Sequence, residues 1–108
     1  ESFGLVALES QACGTLAVAA RVGGLVTTVS DGVSGLLVDG HEPTSYADVL
    51  TKLLSDAELR RSLATGAIAH AAGFDWDRTV DGVIGVYADA LRGVAGRNVE
   101  GLPVAVWR

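Results

Sequence analysis

Two carboxylates, Glu1 and Glu9, stand seven residues apart in the run Glu1-Ser2-Phe3-Gly4-Leu5-Val6-Ala7-Leu8-Glu9. On one continuous helix that eight-residue step would separate them by about 12 Å along the axis. Ser2 to Gly4 reads as a helix start, so Glu1 falls in the loop before it and Glu9 two turns in. The N–H groups of Phe3, Gly4 and Leu5 at such a start have no intrahelical acceptors, and with the positive end of the helix dipole they suit a phosphate. Gly4 carries no side chain to obstruct a close approach. Each ionised carboxylate accepts two hydrogen bonds, which matches paired hydroxyls on a sugar. The constellation suits an elongated ligand with an anionic centre and hydroxyls at both ends, as in a nucleotide sugar.

Two rival readings of the same pair need stating. Solvated carboxylates at a helix end and on a helix face are the commoner role of such residues. A hydrolytic pair for glycosidic bonds also uses two carboxylates, but these must face each other across one bond, which this spacing does not readily provide.

Other reactive side chains read as structural. Cys13 lies near a helix C-terminus, where the dipole disfavours a thiolate, and is expected to be a small buried hydrophobe. His41 sits in a turn beside Asp39 and Glu42 with no second His or Cys near it, so a solvated loop is expected rather than a metal site. His70 falls among alanines and is given no chemical role. Gly23-Gly24 fits either a tight turn or a close ligand approach. Phe74 and Trp76 are expected to anchor the last helix by packing, while Asp75, Asp77 and Asp81 cap and solvate it.

The elements that hold these residues follow from apolar spacing. Leu5, Leu8 and Ala12 recur at helical intervals, with Gly14 placed to stop the helix. Leu16-Ala17-Val18-Ala19-Ala20 and Gly35-Leu36-Leu37-Val38 are short apolar runs between turn signals, expected as strands covered on both faces. Residues 25–29 fit either one helical turn or an extended piece. Beyond Pro43, Tyr46, Val49, Leu50, Leu53 and Leu54 mark an amphipathic helix with Thr44 or Ser45 as N-cap. Ser55-Asp56 ends it and caps a helix carrying Leu59, Leu63, Ala67 and Ala71, which Gly73 ends. Asp75 caps a last helix whose buried side is expected to be Val80, Val83, Ile84, Tyr87 and Leu91.

With 108 residues the chain allows one domain at most, and 49% hydrophobic against 19% charged residues is a globular composition. A net charge of -5 without a Lys/Arg cluster argues against binding nucleic acid or an anionic membrane surface. The single Cys13 excludes an internal disulfide framework and fits a reducing compartment. No apolar run approaches the roughly 20 residues of a membrane helix, and the start at Glu1 shows no signal peptide. That start, and two strands too few for a stable parallel sheet, lead us to expect a piece of a longer protein, the second half of a doubly wound α/β domain. An exposed strand edge would then favour self-association.

In the order Glu1 to Glu9, Gln11-Ala12-Cys13-Gly14-Thr15, Arg21-Val22-Gly23-Gly24-Leu25, Asp31-Gly32, Ser34-Gly35-Leu36-Leu37-Val38 and Phe74-Asp75-Trp76, residues 1–92 resemble the E-x7-E retaining glycosyltransferases of family 4. Residues 35–41 are similar to the inositol-phosphate branch of that family, whose members use UDP-N-acetylglucosamine at the start of mycothiol synthesis. The resemblance implies a GT-B fold built of two Rossmann-like domains. Residues 1–92 would be the C-terminal half of its nucleotide-sugar-binding domain, two parallel strands with about four helices, and residues 93–108 a tail.

By the same resemblance Glu9 binds the ribose hydroxyls of UDP, and Glu1 with the backbone of Phe3 and Gly4 contacts the transferred sugar. The backbone of Leu5 and Val6 lies near the diphosphate, and Thr15 is associated with magnesium. No covalent enzyme nucleophile is required. The implied partners are a UDP-sugar donor and a small phosphorylated polyol, with no nucleic acid and no integral membrane segment, in a cytoplasmic, homodimeric parent. Leu16 and Val26 stand where the family commonly has Pro, Ser10 replaces a common Ala, and the family's basic clamp on the diphosphate lies upstream of these motifs. The alternatives are a family member with another acceptor, and a non-catalytic remnant or interaction module.

Overall fold

A computed structural model of the chain describes residues 2–94. These form two compact units, one ending at Phe74 and one beginning at Asp75. In the first, Gly4 at φ +89° takes a left-handed conformation that glycine adopts at little cost, and it turns the chain into α1 (Leu5–Ala12). The helix faces inward with Gly4, Ala7, Leu8 and Gln11, a spacing of three and four residues. Leu5 and Ala12, two of the three expected apolar positions, are exposed instead. Their small number left the direction of the stripe underdetermined. Gly14 closes the helix at φ +79°, its N–H donating to the Gln11 carbonyl at 2.9 Å. Cys13, expected to be buried, is exposed at the C-cap, because the helix turns its opposite side inward.

The strands β1 (Ala17–Ala20) and β2 (Gly35–Val38) pair in parallel, from Ala17 with Gly35 to Ala20 with Val38. Gly35 allows that approach, since a Cβ there would lie 2.3 Å from the Ala17 carbonyl oxygen. In β2 only Leu36 is half-buried; the other three residues are buried. All of β1 is half-buried, so the expected cover on both faces is not complete among the described residues. Between the strands, residues 25–28 settle as the short helix α2 (Leu25–Thr28), one of five described helices, in keeping with the expected two parallel strands and about four helices.

Pro43 opens α3 (Pro43–Ser55) at its first position, where a missing N–H costs nothing, and Glu42 rather than Thr44 or Ser45 is the N-cap. Tyr46, Val49 and Leu53 turn inward; Leu50 and Leu54 stay exposed. Asp56 caps α4 (Ala57–Ala71) as expected, accepting from the Leu59 N–H at 2.9 Å. Arg60 reaches back from α4 and donates to the Leu53 and Leu54 carbonyls at 2.5 and 2.8 Å, filling acceptors left open at the end of α3. The core collects Val29, Leu37, Val38, Leu53 and the α4 row Leu63, Ala67 and Ala71.

The second unit contains α5 (Trp76–Val94), whose start Asp75 caps by accepting from the Arg78 N–H at 2.7 Å. Its apolar stripe is a correction to the expectation: Val80, Val83, Ile84, Tyr87 and Leu91 are all exposed, and Trp76 is 82% exposed rather than a packing anchor. Helical spacing identifies a face fit for burial but does not supply the surface that covers it. Among the described residues, no helix is long and apolar enough to cross a membrane.

Candidate functional site

The loop that leads into α1 is held by a seat with no spare room. A Cβ on Gly24 would stand 2.4 Å from both the Phe3 Cα and the Ser2 carbonyl oxygen. A Cβ on Gly4 would meet Leu25 Cδ2 and Thr28 Oγ1, each at 2.8 Å. Gly4, expected to admit a ligand's close approach through its missing side chain, gives that space to α2 and is itself buried. Gly24 thus does more than turn the chain, because Ser2 and Phe3 rest on it. Phe3 then packs edge-on against Phe74, with ring centroids 6.1 Å apart at 77°, and Phe74 against His70 at 5.1 Å. Phe74 therefore keeps its expected packing role.

Beyond this seat the start of α1 opens outward. The Gly4 carbonyl accepts from the Leu8 N–H at 3.1 Å, which begins the helical ladder and puts the positive end of the dipole here. Leu5 is 59% and Val6 80% exposed, and Phe3 retains 40% exposure. Glu9 is exposed on the same helix. The structure therefore brings Phe3, Gly4, Leu5 and Val6 together at one end of α1, with Glu9 further along it. Glu1 lies outside the described residues.

Thr15 follows the other end of the helix. Its N–H donates to the Ser10 carbonyl at 3.0 Å, and its own carbonyl accepts from Ser10 Oγ at 3.1 Å. With Leu16, Leu50, Leu53 and Leu54 it lines an open, mainly apolar groove of about 530 Å³. Among the described residues no three His, Cys, Asp or Glu side chains gather as a metal site would need.

Sequence reasoning passed over two groups. Arg21, directly after β1, pairs with Asp31 (Nη2 to Oδ2, 2.5 Å) and with Asp39 directly after β2 (Nε to Oδ1, 2.9 Å). Asp31 also accepts from the Leu37 N–H at 2.9 Å. That backbone bond first, and the Arg21 guanidinium second, hold its carboxyl below the usual carboxylate range against a smaller desolvation effect. The bond to Asp31 in turn raises Arg21 above its ordinary value. The signal was present in Asp31-Gly32 and Asp39-Gly40, but each reads locally as a turn. The other group is Gln11 with Thr28, both fully buried between α1 and α2.

Known proteins share both the sequence and the fold. The profile of the family described as glycosyl transferases group 1 matches residues 1–70. A D-inositol 3-phosphate glycosyltransferase of Acidothermus cellulolyticus is 67% identical over 91 residues, 84% of this chain and 20% of that protein. One from Salinispora arenicola is 58% identical over 100 residues, 93% of this chain and 22% of that protein. The chain thus spans about a fifth of the length of these relatives. Among solved structures, sucrose-phosphate synthase from Thermosynechococcus elongatus superposes with a TM-score of 0.70 at 32% identity, covering 84% of this chain and 23% of that one. Anabaena HepE in complex with UDP also gives 0.70, at 29% identity over 83% of this chain and 25% of that one.

Proposed function

This chain belongs to the glycosyl transferases group 1, and on that premise we propose that it forms part of the donor site of a retaining, UDP-sugar-dependent glycosyltransferase. Its α/β fold, with two parallel strands and the described helices, is the one expected for the C-terminal part of a GT-B glycosyltransferase. The observation that carries the proposal is the seat at Gly4 and Gly24. It fixes Ser2 and Phe3 against α2 while leaving Leu5, Val6 and Glu9 on the open side of a helix start. The UDP held by Anabaena HepE supports a nucleoside diphosphate as the ligand class.

In this reading Glu9 accepts hydrogen bonds from the ribose hydroxyls. The backbone of Leu5 and Val6 lies beside the diphosphate at the positive end of α1. Glu1, with the backbone of Phe3 and Gly4, contacts the transferred sugar. The bond from the sugar's anomeric carbon to the diphosphate oxygen breaks, and one to an acceptor hydroxyl forms on the same face. The departing phosphate takes the hydroxyl proton, so no side chain of this chain acts as nucleophile. Inositol phosphate as acceptor follows from the relatives' printed activity. UDP-N-acetylglucosamine as donor, a place in mycothiol synthesis, a cytoplasmic location and a homodimeric parent rest on the family resemblance and complete the proposal. The domain division at 92/93 belongs to it as well. Magnesium beside Thr15 remains what the resemblance implies: Thr15 offers one hydroxyl beside an apolar groove, no cluster of three ligating side chains forms among the described residues, and no step is assigned to a metal.

Isothermal calorimetry with UDP and UDP-N-acetylglucosamine tests the reading. Losing hydrogen bonds to a charged carboxylate costs about 1.5–3 kcal/mol, so Glu9→Ala should weaken UDP binding by roughly 10- to 150-fold. A folded chain that binds neither ligand, or a folded Glu9→Ala variant that binds UDP as well as the parent, overturns it and favours the remnant reading.

A further inference from the structure

Gln11 is fully buried, yet it is neither apolar nor fully satisfied. Its Nε2 donates to the Ala7 carbonyl at 3.0 Å and to the Thr28 carbonyl at 2.8 Å, while Oε1 is buried with no donor among the described residues. An apolar side chain of similar size would remove that orphaned acceptor but would leave the buried Thr28 carbonyl without this donor, so the amide matters through its link to Thr28. What the amide supplies is a fixed distance between α1 and the last residue of α2. Thr28 is fully buried as well, and its Oγ1 bonds the Gly24 carbonyl at 3.2 Å. That same Oγ1 is one of the two atoms that fill the space beside Gly4. Gly4 and Gln11 are seven residues apart on one face of the helix, about 10 Å along its axis. Gln11, Thr28, Gly24 and Gly4 therefore form a closed circuit from the second turn of α1, through α2, back to the N-cap of α1.

We infer that Gln11 is a positioning residue for the donor site. Through Thr28 it sets where the start of α1 stands against Gly24, and so where the backbone of residues 3–6 meets the donor's sugar and diphosphate. The inference rests on the donor-site reading for its ligand, but the positioning itself can be read without any ligand.

Two variants of the chain test it, Gln11→Met, which keeps the volume and removes both donors, and Gln11→Glu, whose carboxylic acid donates only while protonated. Nitrogen–proton correlation spectra report the amides of Phe3, Gly4 and Leu5, and urea titration reports stability. The expected result for Gln11→Met is a folded chain, less stable than the parent because the Thr28 carbonyl loses its donor, whose Phe3, Gly4 and Leu5 amides all move. In Gln11→Glu these amides should move where the carboxyl is ionised and return toward the parent's positions as pH falls and the acid protonates, at a pH that burial places above the ordinary value near 4.3. UDP affinity should fall about tenfold in Gln11→Met.

Shifts confined to Ala7 and Thr28, with residues 3–5 unmoved, overturn the inference. If Gln11→Met does not fold, Gln11→Glu decides: amides at residues 3–5 with no pH response beyond the parent's also overturn it. A parent chain that ignores UDP refutes the donor-site reading, while the amide comparison still decides the positioning.

Discussion

Gly4→Ala tests the seat directly, because two separable costs meet there. The first is conformational: at φ +89° a side chain pays about 1–2 kcal/mol for a left-handed backbone. The second is steric. The new Cβ would lie 2.8 Å from Leu25 Cδ2, the flexible end of a side chain, and 2.8 Å from Thr28 Oγ1, which is buried and bonded to the Gly24 carbonyl and cannot retreat cheaply. Overpacking of this kind adds about 1–3 kcal/mol, for a total near 2–5 kcal/mol. Two controls separate the contributions. Gly32 has φ +76° and nothing within 4 Å of its Cβ position, so Gly32→Ala should lose only about 1–2 kcal/mol. Gly24 has φ −66°, which alanine tolerates, so Gly24→Ala should lose about 1–3 kcal/mol from the collision with Ser2 and Phe3 alone. Urea titrations followed by circular dichroism give the three losses, comparable as long as the slopes agree. If Gly4→Ala costs no more than Gly32→Ala, the close packing of the loop against α2 is wrong.

Asp31 predicts a pH dependence. Its carboxyl sits below the ordinary range in the folded chain, so the stability it contributes is present above about pH 4 and is lost as pH falls through the lowered folded value. Asp31→Asn should therefore be less stable than the parent at pH 7, with the gap closing toward about pH 2; a constant gap, or a titration midpoint of the Asp31 carboxyl at or above the ordinary value, refutes this. Gly66 and Gly82 should respond oppositely to alanine. A Cβ on Gly66 would lie 2.0 Å from the Val33 carbonyl oxygen, so the substitution should cost about 1–3 kcal/mol in a melting experiment. One on Gly82 meets nothing within 4 Å, so Gly82→Ala should increase the helicity of α5, with a gain of up to about 1 kcal/mol.

Much of the first unit was legible because its signals are local. Gly14, Asp56 and Asp75 announce helix ends through backbone geometry or a capping carboxylate, and Gly35-Leu36-Leu37-Val38 announces a strand by its length and flanks. The misplaced residues depend on what lies opposite them. Leu5, Cys13 and Trp76 are apolar enough for a core, and only the packing of their elements decides that they face outward. The stripe on α5 is the plainest case, correct in period and exposed among the described residues. At the site, the run from Phe3 to Val6 was readable as a helix mouth. Gln11 was not, since a glutamine following Glu9 and Ser10 carries no mark of the carbonyl it will reach 17 positions away. Arg21 with Asp31 and Asp39 escaped for the same reason, being three strand-end and turn residues joined only by the pairing of β1 with β2.

Three of the tightest contacts in the first unit, at Gly24, Gly35 and Gly66, are between glycine and main chain. Peptide groups have no rotamers to sample. A molecule that settles beside Ser2 and Phe3 would meet an outline drawn largely by backbone, already narrowed to one form before it arrives. Little disorder would remain there for association to freeze out, and recognition could be firm even with few contacts.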